Sequence, residues 1–169
     1  TGGAAKRLTK GSFSLQTDQQ DGAPDPAWSR DGRSIAFVRF PGPYWGPSFH
    51  SVIDTVAVGG GTPAPLVKDE GAMDARYAPD STTLGFMRPR GGDQNNGNAV
   101  YVSVDGRTRD VTQALARNIN SYAWLPRGKA LLLAGAEGTR SVLWQQPLSG
   151  KAKRLELGDV EAGTDVSVS

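Results

Sequence analysis

The chain has 169 residues, 37% of them hydrophobic, with 19 basic against 17 acidic side chains, a single histidine and no cysteine. The length allows a sizeable core, while the scattered +2 surplus is no stripe for nucleic acid. Disulfides and thiolate chemistry are excluded, no apolar run approaches the ~20 residues of a bilayer span, and the opening residues lack the apolar centre of a signal peptide. The chain therefore reads as soluble, without membrane or nucleic acid among its partners, and its compartment stays open between cytoplasm and periplasm or exterior.

Twenty-two glycines and eleven prolines separate short β-branched and aromatic runs, the pattern of many short strands joined by tight turns. In chain order, residues 1–10 read as a lone outer strand. A first blade over about 24–67 follows, with a strand into Trp28, a turn at Arg30-Asp31-Gly32, and strands at 34–40, 52–58 and up to Leu66. A second blade spans about 73–112, with strands at 84–87, 99–104 and 108–112. One helical turn is expected near 112–118, too short to stand alone. A third blade over about 120–157 carries strands at 130–134, 141–148 and 152–157, and residues 164–169 begin a further inner strand.

The repeat is explicit in the sequence. AWSRDGRSIAFV from Ala27 returns as RYAPDSTTLGFM from Arg76 and AWLPRGKALLLA from Ala123, which places Trp28, Tyr77 and Trp124 at 49- and 47-residue intervals. Ile35, Leu84 and Leu131 each follow their anchor by seven residues. Repeats of this length mark arrays of small sheets, none of which buries its faces alone. The expected fold is all-β: a partial β-propeller of three four-stranded antiparallel blades, with an orphan outer strand before them and an orphan inner strand after. Because closed propellers have four to eight blades, the sequence is expected to be a fragment of a longer chain, one whose open blade edges favour self-association.

Few residues suggest chemistry. No G-x-S-x-G elbow occurs, and His50 has no second histidine or cysteine near it in sequence, so neither a catalytic triad, a metal site nor a cofactor is expected. The Asp93–Asn98 stretch lacks calcium-loop glycine and glutamate at Asn98 and Val104, and the Gly59-Gly60-Gly61 run reads as a hairpin turn. The recurring aromatics Trp28, Tyr77 and Trp124 read as blade packing. Non-repeating features are more informative. The aromatic and proline-rich loop 40–50, with Tyr44, Trp45 and His50, either lines a binding surface or docks a neighbouring domain. Arg39, Arg88 and Arg90 either hold a peptide carboxylate by paired hydrogen bonds or sit solvated at the surface.

At PAWSRDGRSIAFVR, DARYAPDSTTLGFMR and YAWLPRGKALLLAGAEG the chain resembles the TolB-type propeller repeat, whose usual form is a Trp-Ser-Pro-Asp-Gly turn before an apolar strand. Arg30, Ser81 and Arg127 depart from its proline, glycine and aspartate. The longer run NAVYVSVDGRTRDVT, followed by NSYAWLPRGKALLLAGAEGTRSVLWQQPLSGKAKRLELG, is similar to the N-terminal propeller of bacterial prolyl-oligopeptidase-family serine peptidases, the group of acylaminoacyl and dipeptidyl peptidases. That resemblance implies a non-catalytic propeller that gates peptide substrates and docks a C-terminal α/β-hydrolase domain, where the catalytic residues would lie. The alternative it leaves is a TolB-like protein-interaction module with no linked peptidase.

Overall fold

A computed structural model describes residues 3–15, 25–44, 46, 49–80, 82–158, 162–163 and 165–168. Among these residues, twelve strands form three separate four-stranded antiparallel sheets, each paired in chain order. The first holds β1 (Ala27–Trp28), β2 (Ser34–Arg39), β3 (Val52–Ala57) and β4 (Ala64–Val67). The second holds β5 (Met73–Tyr77), β6 (Leu84–Pro89), β7 (Asn98–Val104) and β8 (Arg107–Asp110). The third holds β9 (Ile119–Trp124), β10 (Ala130–Glu137), β11 (Arg140–Pro147) and β12 (Lys153–Leu155). These are the three expected blades.

The seven-residue interval has a simple cause. Trp28 pairs with Ile35, Tyr77 with Leu84 and Trp124 with Leu131 across the first hairpin of each blade. Residues directly opposite in a ladder project to the same face, so each anchor and its partner share one face. Alternation then sends Ile35 and Phe37 forward and Ala36 and Val38 backward along β2. The turns close the hairpins by side-chain chemistry: Asp31 accepts from the Arg33 amide and the Ser29 hydroxyl, and Asp80 accepts from the Thr82 and Thr83 amides. In the third blade Arg127 replaces that aspartate, and backbone bonds alone close the turn, Leu125 N–H to Ala130 O at 3.0 Å and Gly128 N–H to Leu125 O at 2.8 Å.

The core lies between sheets. The rear of the first blade, with Ala36, Val38, Phe40, Ile53 and Val67, packs on Ala75, Leu84, Phe86, Ala99 and Tyr101 of the second. Met87, Val100 and Val102 on the rear of the second meet Tyr122, Leu131, Leu133, Val142 and Trp144 of the third. The second blade thus serves two seams, which is why its apolar residues occupy both faces.

Several strand boundaries differ from those expected. Strands β8 and β12 are shorter than the expected 108–112 and 152–157. Strands β6 and β10 run further, to Pro89 and Glu137. The expected turn near 112–118 is a single one, in which the Leu115 and Ala116 amides reach Thr112 O at 3.0 and 3.3 Å. Among the described residues, the flanking segments form no ladder of their own. Residues 3–10 nevertheless lie along the front of the first blade, where Leu8 packs with Ile35, Phe37 and Val56. Val166 packs behind the third blade with Ala123, Ala134, Leu132 and Leu143.

Candidate functional site

The inner strand of each blade is β1, β5 or β9, and the sequence places polar residues just before each anchor. Asp25 and Asp74 both stand three residues ahead of theirs. Between the first two blades these strands leave a cleft of about 380 Å³ lined by Asp25, Pro26, Trp28, Asp74, Arg76 and Tyr77, among others. A backbone irregularity shapes it: the β5–β6 register shifts between Met73 and Arg76, and Asp74 takes φ +50°. There the Arg76 Nε donates to Asp74 Oδ1 at 3.0 Å, and its guanidinium lies 5.2 Å from the centre of the Tyr122 ring. Burial opposes the charge on Arg76, yet its bond to Asp74 and the fields of Asp74, Tyr122 and Asp165 hold its pKa above the usual value.

Tyr122 is the buried member of this group. Its hydroxyl donates to Asp74 O at 2.8 Å, and Trp124 Nε1 donates to Arg76 O at 2.9 Å, so the third blade is tied to the bulged strand of the second. Burial first, and then the charge of Asp74, push the Tyr122 phenol well above its ordinary pKa, against the pull of Arg76. None of these residues was singled out in sequence as a site. The signal that marks them is positional: carboxylates recur three residues before the anchors.

The three arginines singled out in the sequence are each paired with a carboxylate. Arg39 Nε donates to Asp54 Oδ2 at 2.7 Å, and Asp54 is only 5% exposed, with its other oxygen unpartnered. Arg88 donates to Asp69 at 2.9 Å and lies 5.4 Å from the Tyr101 ring centre. Arg90 bonds Asp110 at 2.5 Å and Arg117 O at 3.2 Å. Each arginine has its own carboxylate on a different segment. The register explains the first two. Phe37 pairs with Asp54, Phe86 with Tyr101 and Leu133 with Trp144, so Asp54, Tyr101 and Trp144 occupy one repeat position. The residue eleven after the anchor answers it: Arg39 binds the carboxylate, Arg88 stacks on the ring, and Gly135 leaves room for the indole, where a Cβ would come within 3.2 Å of Trp144.

The aromatic loop is joined to the linker between blades. His50 Nδ1 lies 2.9 Å from Glu70 Oε2 with both side chains exposed, and Ser51 Oγ donates to Ala72 O at 2.9 Å. Tyr44 is 69% exposed, and Trp45 lies outside the described residues. Among the anchors, Tyr77 and Trp124 pack into seams, whereas Trp28 is 57% exposed because no described sheet stands in front of it. Among the described residues no cluster of three His, Asp or Glu could hold a metal, and no helix is long and apolar enough to cross a membrane.

No protein-family model and no curated protein matches this chain. Solved structures do. TolB from Acinetobacter baumannii superposes with a TM-score of 0.60 at 20% identity, over 77% of this chain and 31% of that one. Acylaminoacyl peptidase from Pyrococcus horikoshii gives 0.57 at 18%, covering 79% and 24%. A prolyl endopeptidase gives 0.60 at 17%, covering 87% and 22%. The chain has the fold of β-propeller blades, shared with TolB and with peptidase propellers. It spans about a quarter to a third of the length of these three structures.

Proposed function

We propose that the chain is a propeller segment of a prolyl-oligopeptidase-type serine peptidase, a wall that filters peptides on their way to a separate α/β-hydrolase domain and docks that domain. The observation that carries this reading is the open cleft between the inner strands, where Asp25, Trp28, Asp74 and Arg76 offer both charges and an aromatic face to a passing chain. The residues Arg39, Arg88, Arg90 and His50 act in this reading as braces of that wall, holding strands and linkers through Asp54, Asp69, Asp110 and Glu70. The exposed Tyr44, with Trp45 beside it in sequence, is the contact the loop offers to the hydrolase domain. Similarity to acylaminoacyl peptidase and prolyl endopeptidase propellers supports the reading at the level of fold.

The second reading is a TolB-like interaction module, favoured by an equally good superposition on TolB. The two separate in one experiment on the product of the full reading frame that contains these residues. A fluorophosphonate probe is expected to label one serine outside residues 1–169, and short peptide substrates to be cleaved while a folded protein is spared. Absence of labelling and of peptide cleavage would refute the peptidase reading and leave the module.

A further inference from the structure

We infer that the free edge of β8 takes an extended acidic peptide as an added strand, with two of its carboxylates, spaced by one residue, set against Arg107 and Arg109. Strand β8 ends its sheet, so among the described residues no strand pairs with its far side. The turn before it decides which backbone groups face outward. Asp105 and Gly106 have φ of +49° and +75°, the signature of a two-residue type I′ turn. Such a turn joins Val104 to Arg107 through both of their backbone groups, and the alternation of an antiparallel ladder repeats that arrangement at Val102 and Arg109. The Val111 amide, reaching Val100 O at 3.0 Å, continues the series. The N–H and C=O of Thr108 therefore point off the sheet, a donor and an acceptor for another strand.

The side chains say which strand. Arg107 and Arg109 share one face with their partners Val104 and Val102, whereas Thr108 and Asp110 lie on the other, where Thr108 Oγ1 donates to Asp69 at 3.0 Å and Asp110 accepts from Arg90. The arginine face is open. A hollow of about 460 Å³ is lined by Val102, Val104, Asp105, Arg107, Thr108 and Arg109. Among the described residues no ion pair joins either arginine to a carboxylate, that of Asp105 included, and Arg109 gives one N–H to Leu148 O at 2.6 Å, which leaves its other donors for a ligand. The outer strands of the other blades differ. At the repeat position of Arg109 the first blade has Ala64 and the third Lys153; β4 also carries Pro65, which has no N–H, and Arg154 of β12 is already held by Glu137 at 2.6 Å. A packing role would recur with the blade, and this arrangement does not. Charge also selects the occupant. A second copy approaching through the same edge would set arginine against arginine, whereas a strand with acidic residues on both sides of the one opposite Thr108 puts a carboxylate before each guanidinium.

Two capped heptapeptides of one composition test this, each with two glutamates among threonines and valines, titrated into the isotope-labelled chain and followed by NMR. In one the glutamates are separated by a single residue; in the other they are adjacent. The first is expected to shift the Thr108 amide saturably and to slow its hydrogen exchange several-fold. It should bind about two- to fivefold more tightly than the second, whose adjacent glutamates present one carboxylate to the arginines and the other to the side of Asp69 and Asp110. Arg107→Gln combined with Arg109→Gln should weaken the first peptide by about three- to thirtyfold while the amide shifts of β6 stay in place. Equal affinity for the two peptides, undiminished binding by the double variant, or no saturable shift at Thr108 would each overturn the inference. The comparison of peptides needs no substitution, so it decides the matter on the unaltered chain whether or not the variant folds.

Discussion

Trp28 and Trp124 are the same residue at the same repeat position, and the structure treats them oppositely. Trp124 is packed among Tyr122, Leu131 and the rear of the second blade and donates to Arg76 O, whereas Trp28 is 57% exposed. Local sequence sets the direction of each side chain through its strand pairing, Trp28 with Ile35 and Trp124 with Leu131. Burial is set by what stands opposite. In a repeat architecture most of an anchor's energetic contribution therefore belongs to the seam and not to the blade that carries it.

That comparison can be broken at the seam itself. Trp124→Ala is expected to have the largest effect, about 3–5 kcal/mol in urea unfolding, because it removes an indole from a packed interface and leaves the Arg76 carbonyl without its donor. Trp28→Ala should stay within about 0.5 kcal/mol. Equal losses would mean that the two positions are not in different environments. Gly85→Leu should follow, at about 1–3 kcal/mol from overpacking against Tyr122 and Trp124, while Ala36→Gly at the first seam should cost about 1 kcal/mol.

Smaller effects sharpen the same contrast. Tyr122→Phe removes one bond to Asp74 O and should cost about 1 kcal/mol at neutral pH. It also carries a pH signature. Because the folded-state pKa of Tyr122 lies well above its ordinary value near 10, the neutral phenol contributes stability that is fully present below about pH 10 and is lost as pH rises through the folded value. The variant's stability should therefore fall less steeply above about pH 10 than that of the unaltered chain, as read from urea midpoints across the alkaline range. His50→Gln should be the least consequential, within about 0.5 kcal/mol, since both partners of that pair are largely in solvent.

Much of the fold was legible because the repeat is local. The hairpin turn, the anchor and the residue seven beyond it lie within one short window, and backbone pairing links them directly. The ion pairs were not legible as such. Arg39 finds Asp54, Arg88 finds Asp69 and Arg90 finds Asp110 across fifteen, nineteen and twenty residues, and only the folded chain shows which carboxylates come within reach. One clue was present. Arg39 and Arg88 recur at the same distance from their anchors, and a recurring residue in an array is more consistent with bracing a blade than with binding one ligand. The cleft residues Asp74, Arg76 and Tyr122 escaped notice because their meeting depends on a bulge at Asp74 and on the stacking of two blades, neither of which a single strand announces.

The exposure of Trp28 was hidden for the opposite reason. Its sequence context is that of a buried anchor, and only the absence of a described sheet before it changes the outcome. The most direct measurement is hydrogen exchange at the four tryptophan indoles, followed by NMR with assignment from single Trp→Phe variants. The account predicts a protected Trp124 indole, held by Arg76 O, beside a Trp28 indole exchanging at the rate of an unprotected one. Equal protection of the two, or free exchange of both, would contradict it.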